Sequence, residues 1–257
     1  MDQLWQQLLF LCPMLLIAGI VDGISGGGGL IALPSYLIAG VPITSAYACN
    51  KMQSFSGTSA SLFKYAKNKF IDIKSALPAA LTATVGSYLS TQIMLSLEDK
   101  TKNIIIVTAT CFVILLMFFS YKIKIDSYTV TQLTPSKVTV SLSLCIGFIL
   151  GLYDGFFGPG GGTIAILLFA LIMKYDLRVG GGNGKFIIVV SNLISMVTYL
   201  IHGDMIYSIA IPCSISNIIG SYIGASLATK KGTGFVKYVS RGVIIALLIY
   251  TVVKLFF

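Results

Sequence analysis

Four charged residues sit inside long apolar stretches of this chain: Asp22, Lys51, Asp154 and Lys185. A charge at the centre of a bilayer costs roughly 2.5–3.5 kcal/mol on insertion scales, so four cost about 10–14 kcal/mol together. Residues kept at that cost face a cavity or one another and mark a pathway. Beside them stand two glycine tracts, Gly26–Gly29 and Gly158–Gly162. Consecutive glycines do not sustain a regular helix, so each tract is expected to break the chain between a long and a short apolar piece. The short helices that begin near Leu30 and Thr163 then point free N–H groups into the protein, and helix N-termini attract anions. Gly27, Gly28, Gly29, Gly160, Gly161, Gly162 and Thr163, together with the Lys51 and Lys185 ammoniums, form a candidate anion pocket. Asn50 and Asn183, near the two lysines, are candidate hydrogen-bond donors to the same ligand.

Each feature also has a plainer reading. Glycines in membrane helices often serve only close packing. Lys51 and Lys185 lie some seven residues inside their segments and could snorkel to an interface. Asp22 and Asp154 are either proton carriers or helix caps at the breaks. His202, followed by Gly203-Asp204, reads as part of an outer turn.

Enzyme motifs fail on inspection. Gly180-Gly-Gly-Asn-Gly184-Lys185-Phe186 is near a phosphate loop, but Val179 stands where its first glycine belongs and Phe186 where its Ser/Thr belongs. Gly26–Gly29 has no βαβ unit around it. No Ser/His/Asp set is available around the single histidine, His202, and Asp22 and Asp154 lack a protease motif. The five cysteines form no CxxC pair. No metal and no cofactor are expected.

The elements that position these residues follow from composition. Of 257 residues, 56% are hydrophobic and only 11% charged, with mean hydropathy +0.89, against about 25% charged in soluble domains. Runs such as 104–121, 138–152 and 243–257 approach the roughly 20 apolar residues that cross a bilayer. The net charge of +9 fits Lys/Arg-rich cytoplasmic loops; no basic run outside the apolar segments suggests nucleic acid. The N-terminus has no Lys or Arg before its apolar run, so it reads as a retained span rather than a cleaved signal.

The chain repeats itself. Gly19-x-x-Asp22-Gly23-x-x-Gly26-x-Gly28-Gly29 lies over Gly151-x-x-Asp154-Gly155-x-x-Gly158-x-Gly160-Gly161 at an offset of 132. Lys51 with Lys185, Pro78 with Pro212 and Gly86-Ser-Tyr88 with Gly220-Ser-Tyr222 follow at 134, and Asn50 pairs with Asn183 one residue out of register. Each half divides into apolar segments 4–22, 30–39, 44–63, 75–97 and 103–121, then 138–154, 163–173, 179–201, 205–228 and 235–257. Five crossings per half invert the second repeat; four keep it parallel. With ten segments and the N-terminus outside, twelve Lys/Arg fall in inner loops and two outside, whereas eight spans put seven on each side. The charge rule selects the inverted arrangement. The expected fold is therefore an all-α polytopic membrane protein of two inverted-topology repeats, each of about five helical segments, with glycine-broken helices meeting near the midplane. Residues 1–121 form the first transmembrane repeat, 122–136 a cytoplasmic linker and 137–257 the second repeat.

Gly19-x-x-Asp22 running into Gly26-Gly-Gly-Gly29-Leu30-Ile-Ala-Leu-Pro34, then Cys49-Asn50-Lys51-Met52-Gln53, resembles the TauE/SafE sulfite-exporter-like permeases. Gly155-Phe-Phe-Gly158-Pro159-Gly160-Gly-Gly162-Thr163 and Asn183-x-Lys185 resemble that family's second repeat, with Gly184 as a departure. The resemblance covers essentially the whole chain. It implies transport of sulfur-containing anions such as sulfite or organosulfonates.

The expectation is a secondary transporter of small anions in the cell membrane, multi-pass, working by alternating access. Its partners are the anion and the lipid bilayer, with no nucleic acid; nothing indicates an oligomeric state. The rival readings are an anion channel and a non-transporting membrane enzyme or partner protein.

Overall fold

The computed structural model describes residues 2–105, 108, 136–231, 235 and 238–239. The linker at 122–135, most of segment 103–121, most of 235–257 and Cys111 lie outside the described residues. Every regular element among the described residues is α-helical: α1 (Asp2–Ser25), α2 (Gly29–Ile38), α3 (Ile43–Lys67), α4 (Ile73–Ser96), α5 (Lys137–Phe156), α6 (Gly161–Met173), α7 (Leu177–His202) and α8 (Tyr207–Lys231). Residues 99–105 are also helical. Among the described residues, α1, α5, α7 and α8 are long and apolar enough to cross a membrane. The all-helical, polytopic expectation holds. Helices α3 and α4 are as long but more polar, because their serines and threonines face other helices; Ser61, Ser75, Ser87, Ser90 and Thr91 are all buried.

Local chemistry sets the boundaries. Asp72 Oδ1 accepts the Lys74 N–H at 3.2 Å and starts α4; Asp176 Oδ1 accepts the Arg178 N–H at 2.8 Å and starts α7. Both caps satisfy one of the open donors at a helix N-terminus. Helices α2 and α6 start at Gly29 and Gly161, one and two residues earlier than the sequence suggested.

Two pairs of helices run side by side in the same direction. Gly19 and Gly23 of α1 lie against the backbone of Asn217, Ser221 and Gly224 in α8, while Gly220 and Gly224 lie against Leu16 and Ile20. In the same way Gly147 and Gly151 of α5 lie against Ala79 and Ala83 of α4, and Gly86 of α4 against Phe148 and Leu152. Lipid offers helices no hydrophobic drive to associate, so close backbone approach through small residues holds them. The shared motif glycines therefore split in two: Gly19, Gly23, Gly151 and Gly155 pack helices, and those after them break the chain.

Helices α3 and α7 cross between these pairs and run in opposite directions. Tyr47 near the start of α3 shares an apolar cluster with Tyr199 near the end of α7. At the other end, Gly181 and Gly182 of α7 lie against Tyr65 and the Phe70 carbonyl. The run Gly180–Gly182 is thus inside a helix, where its lack of side chains admits the end of α3. Gln7 near the start of α1 donates to the Ala39 carbonyl after α2 at 2.8 Å, so the hairpin α1–α2 begins and finishes at one end of the molecule. Lys64, Lys67, Arg178, Lys230 and Lys231 gather at the opposite end.

Candidate functional site

The two glycine breaks meet. A Cβ on Gly26 would collide with the Gly162 backbone, and one on Gly162 with Gly26. Gly29 lies against Pro159, and Thr163 Oγ1 donates to the Ser25 carbonyl at 2.9 Å. Gly26 and Gly158 adopt φ of +76° and +71°, and Gly160 +79°, a region that residues with a Cβ enter at a cost.

Around this junction the four buried charges pair across the halves. Lys51 of α3 sits 2.9 Å from Asp154 Oδ2 of α5, and its Nζ also donates to the Asp154 carbonyl. Lys185 of α7 sits 3.7 Å from Asp22 Oδ2 of α1 and donates to the Asp22 carbonyl at 2.7 Å. Each lysine holds the aspartate of the other half through both carboxylate and main chain. A hydroxyl completes each carboxylate: Ser191 donates to Asp154 at 2.6 Å and Thr58 to Asp22 at 3.2 Å. Both lysines are buried, Lys51 at 0% and Lys185 at 3% exposure, so neither snorkels. The side-chain bonds of both aspartates run to the long helices α3 and α7, which sets aside the capping reading.

The pairs differ in tightness. Asp154 is 3% exposed against 19% for Asp22, and its ion pair is the shorter. Between them lies a cavity of about 20 Å³ lined by both aspartates, Gly26, Gly29, Gly158, Gly162, Asn50, Ser54, Thr58, Ile188 and Asn192. That volume admits about one water, so a polyatomic anion does not fit this conformation.

The structure sorts the sequence candidates. Asn50, Gly29, Gly162, Asp22 and Asp154 reach the cavity; Lys51 and Lys185 are not among its lining residues but are paired with the two aspartates that are. Gly28 and Gly160 stand at the N-cap positions of the short helices, and Gly161 lies near Asp154. Gly27 supplies a carbonyl to the Leu30 N–H at 3.2 Å. Asn183 is elsewhere: its Oδ1 accepts from the Asp72 N–H at 2.8 Å and its Nδ2 donates to Ser75 Oγ at 3.1 Å. The reason is register. At the offset of 134, Asn183 corresponds to Cys49, whose Sγ donates to the Ile206 carbonyl, and Ile206 corresponds to Asp72. Gly184, not Asn183, is the counterpart of Asn50, so only the first half supplies an asparagine at that position. The same offset pairs Ser54 with Ile188 and Thr58 with Asn192. Those lining positions were reachable from sequence by carrying the lysine register onward. His202 ends α7 with Nδ1 at 2.9 Å from the Thr198 carbonyl, away from the site.

The profile of the family described as "Sulfite exporter TauE/SafE" matches residues 11–251. The chain belongs to this family. Its relatives include a "Probable membrane transporter protein ORF9" of Sinorhizobium sp., 28% identical, with 92% of this chain and 88% of that protein covered. A "Probable membrane transporter protein" of Haemophilus influenzae is 26% identical, with 86% and 85% covered. The "Probable membrane transporter protein YfcA" of Escherichia coli K12 is 24% identical, with 89% and 82% covered. No solved structure matches. The family and these relatives are membrane transporters, which places this protein among integral membrane transporters rather than enzymes.

Proposed function

We propose that this protein is a secondary transporter of small sulfur-containing oxyanions, sulfite or sulfonates, working by alternating access between two inverted repeats. One observation carries the reading. Two lysine–aspartate pairs, each joining one half to the other, flank a small cavity at the junction of two broken helices. Transporters built on inverted repeats place substrate where discontinuous helices of the two halves meet. The opposed directions of α3 and α7 support such a repeat, as do the exchanged pairings of α1 with α8 and α4 with α5. A cavity that admits about one water favours a transporter over an open channel. The name of the family supports a sulfur oxyanion, and the basic end of the helices supports a cytoplasmic face there, with the N-terminus outside the cell membrane.

Lys51 and Lys185 are the groups that would neutralise the substrate, Asn50 the donor beside them. The test is uptake of sulfite, sulfoacetate, taurine, sulfate and acetate into liposomes containing the purified protein. Flux of a sulfur oxyanion well above empty liposomes is the expected result, and a protein that moves none of them has another function. A charged hydrogen bond contributes about 1.5–3 kcal/mol, so Lys185→Gln is expected to weaken anion binding by roughly 10- to 150-fold.

A further inference from the structure

The cavity meets an anion with the wrong charge. Asp22 and Asp154 line it, while the two ammoniums are not among its lining groups, each being engaged by a carboxylate and a main-chain carbonyl. Two lysines and two aspartates sum to zero. An anion added to that balance leaves a buried charge uncompensated, which a low-dielectric interior penalises heavily. Opening a lysine to the anion strands an aspartate in the same way. A proton removes both penalties at once.

The pairs are unequal, and the inequality names the site of exchange. Lys185 is 3.7 Å from a carboxylate that is 19% exposed and takes the Thr58 hydroxyl at 3.2 Å, whereas Lys51 is 2.9 Å from one that is 3% exposed and takes the Ser191 hydroxyl at 2.6 Å. Asp22 therefore yields its lysine at lower cost. Around Asp22 the other titratable or charged groups are Tyr65 of α3, whose hydroxyl donates to the Gly23 carbonyl, and Asp154 with Lys51 across the cavity; Arg178 at the start of α7 faces Asp176 and Phe70. Tyr153 adjoins Asp154 and donates to the Pro159 carbonyl. None of these supplies a second cation to Asp22 within ion-pair distance among the described residues.

The cavity also holds polar atoms without a partner. The Asn192 amide, on a residue 2% exposed, makes no hydrogen bond among the described residues, and Asn50 uses its Oδ1 for Gln53 but leaves Nδ2 unbonded. Each residue offers the cavity wall an amide N–H donor that an oxyanion oxygen can accept.

We propose that this protein carries its anion together with protons, one for each negative charge, and that Asp22 accepts the first proton as the anion takes Lys185. The ion pair Asp22–COO⁻ with ⁺H₃N–Lys185, plus H⁺ and X⁻, becomes Asp22–COOH and the pair of X⁻ with ⁺H₃N–Lys185. One O–H bond forms, the proton comes from the aqueous phase that supplies the anion, and the site stays neutral. A dianion engages Asp154 and Lys51 in the same manner. This rests on the transport reading above.

The test uses the full chain in liposomes loaded with a pH-reporting dye, with membrane potential clamped, and methanesulfonate and sulfate as probes. Both remain anions at neutral pH, so any proton that moves is carried by the protein. The expected result is one proton per methanesulfonate and two per sulfate. Asp22→Asn, isosteric with the protonated acid, abolishes the methanesulfonate-driven proton signal, while its elution profile and melting in detergent report that it folds. Anion flux with no proton movement overturns the coupling and leaves the transport reading standing. A flux that requires sodium in place of protons overturns it too, as does a full proton signal in a folded Asp22→Asn. If neither anion moves at any pH, the same proton measurement is made with whichever anion of the uptake panel does move; if none of them moves either, the transport reading falls and the coupling with it.

Discussion

Lys51 and Asp154 show what a buried charge requires of its neighbours. Removing one member of a buried pair strands the other and costs about 3–5 kcal/mol, whereas replacing both is far milder. Lys51→Gln is therefore expected to lower stability in detergent by that amount, and Lys51→Gln with Asp154→Asn to recover most of it. Denaturant melts of the two single variants and the double variant complete the cycle; additive losses would mean that the 2.9 Å pair contributes no coupling. The same cycle at Lys185 and Asp22 should give a smaller coupling, because the carboxylate there is farther and wetter. Asn183 carries a different kind of work. It ties α7 to the start of α4 through the Asp72 N–H and Ser75, so its replacement by Leu is expected to reduce stability and leave anion affinity of the folded fraction unchanged, measurable by calorimetry.

At the scale of elements, the glycines divide by what surrounds them. Gly26 combines φ of +76° with contact against the Gly162 backbone, while Gly158, at +71°, has only ordinary contacts at 3.5–3.7 Å with Asn50, Lys51 and Asp154. A left-handed φ costs an L-residue about 1–2 kcal/mol; collision with a backbone forces the two breaks apart as well. Gly26→Ala should then abolish transport, and Gly158→Ala should retain part of it. Equal activity of the two variants in the liposome assay would contradict the contact between the breaks. Gly28→Leu belongs with Gly26, since a side chain there meets the Ala18 carbonyl and the Asp22 Cβ. Gly40 and Gly203 also have positive φ but open space around them, and alanine there should cost only the backbone penalty.

For the whole molecule the decisive quantity is orientation. Helix α3 ends at Lys67 and α8 at Lys231, at the end opposite to Gly203. Cysteines at 67 and 231 should react with an impermeant reagent from the cytoplasmic side alone, and one at 203 from the outside alone. Labelling of 67 and 231 from opposite faces would break the inverted arrangement. It would also remove the physical basis for two half-sites that exchange access.

How much of this was legible beforehand depends on the range of the interaction. The membrane class follows from composition, since 11% charge cannot clothe a soluble protein of this size. The glycine breaks follow from propensity, because runs of glycine cannot keep a helix. The four buried charges and the offset between halves are properties of the string itself. None of these states which lysine meets which aspartate. Lys51 and Asp154 are 103 residues apart, and Lys185 and Asp22 163, so their pairing exists only once α1 has packed on α8 and α4 on α5. Sequence neighbours suggested that Asn50 and Asn183 act alike; the helical register sent Asn183 to Asp72 and brought Asn192 to the cavity instead. Local rules of helix and break are written residue by residue, whereas the charge of the cavity wall is decided by which faces close over it. Tertiary packing alone put the carboxylates on that wall and paired them with the ammoniums.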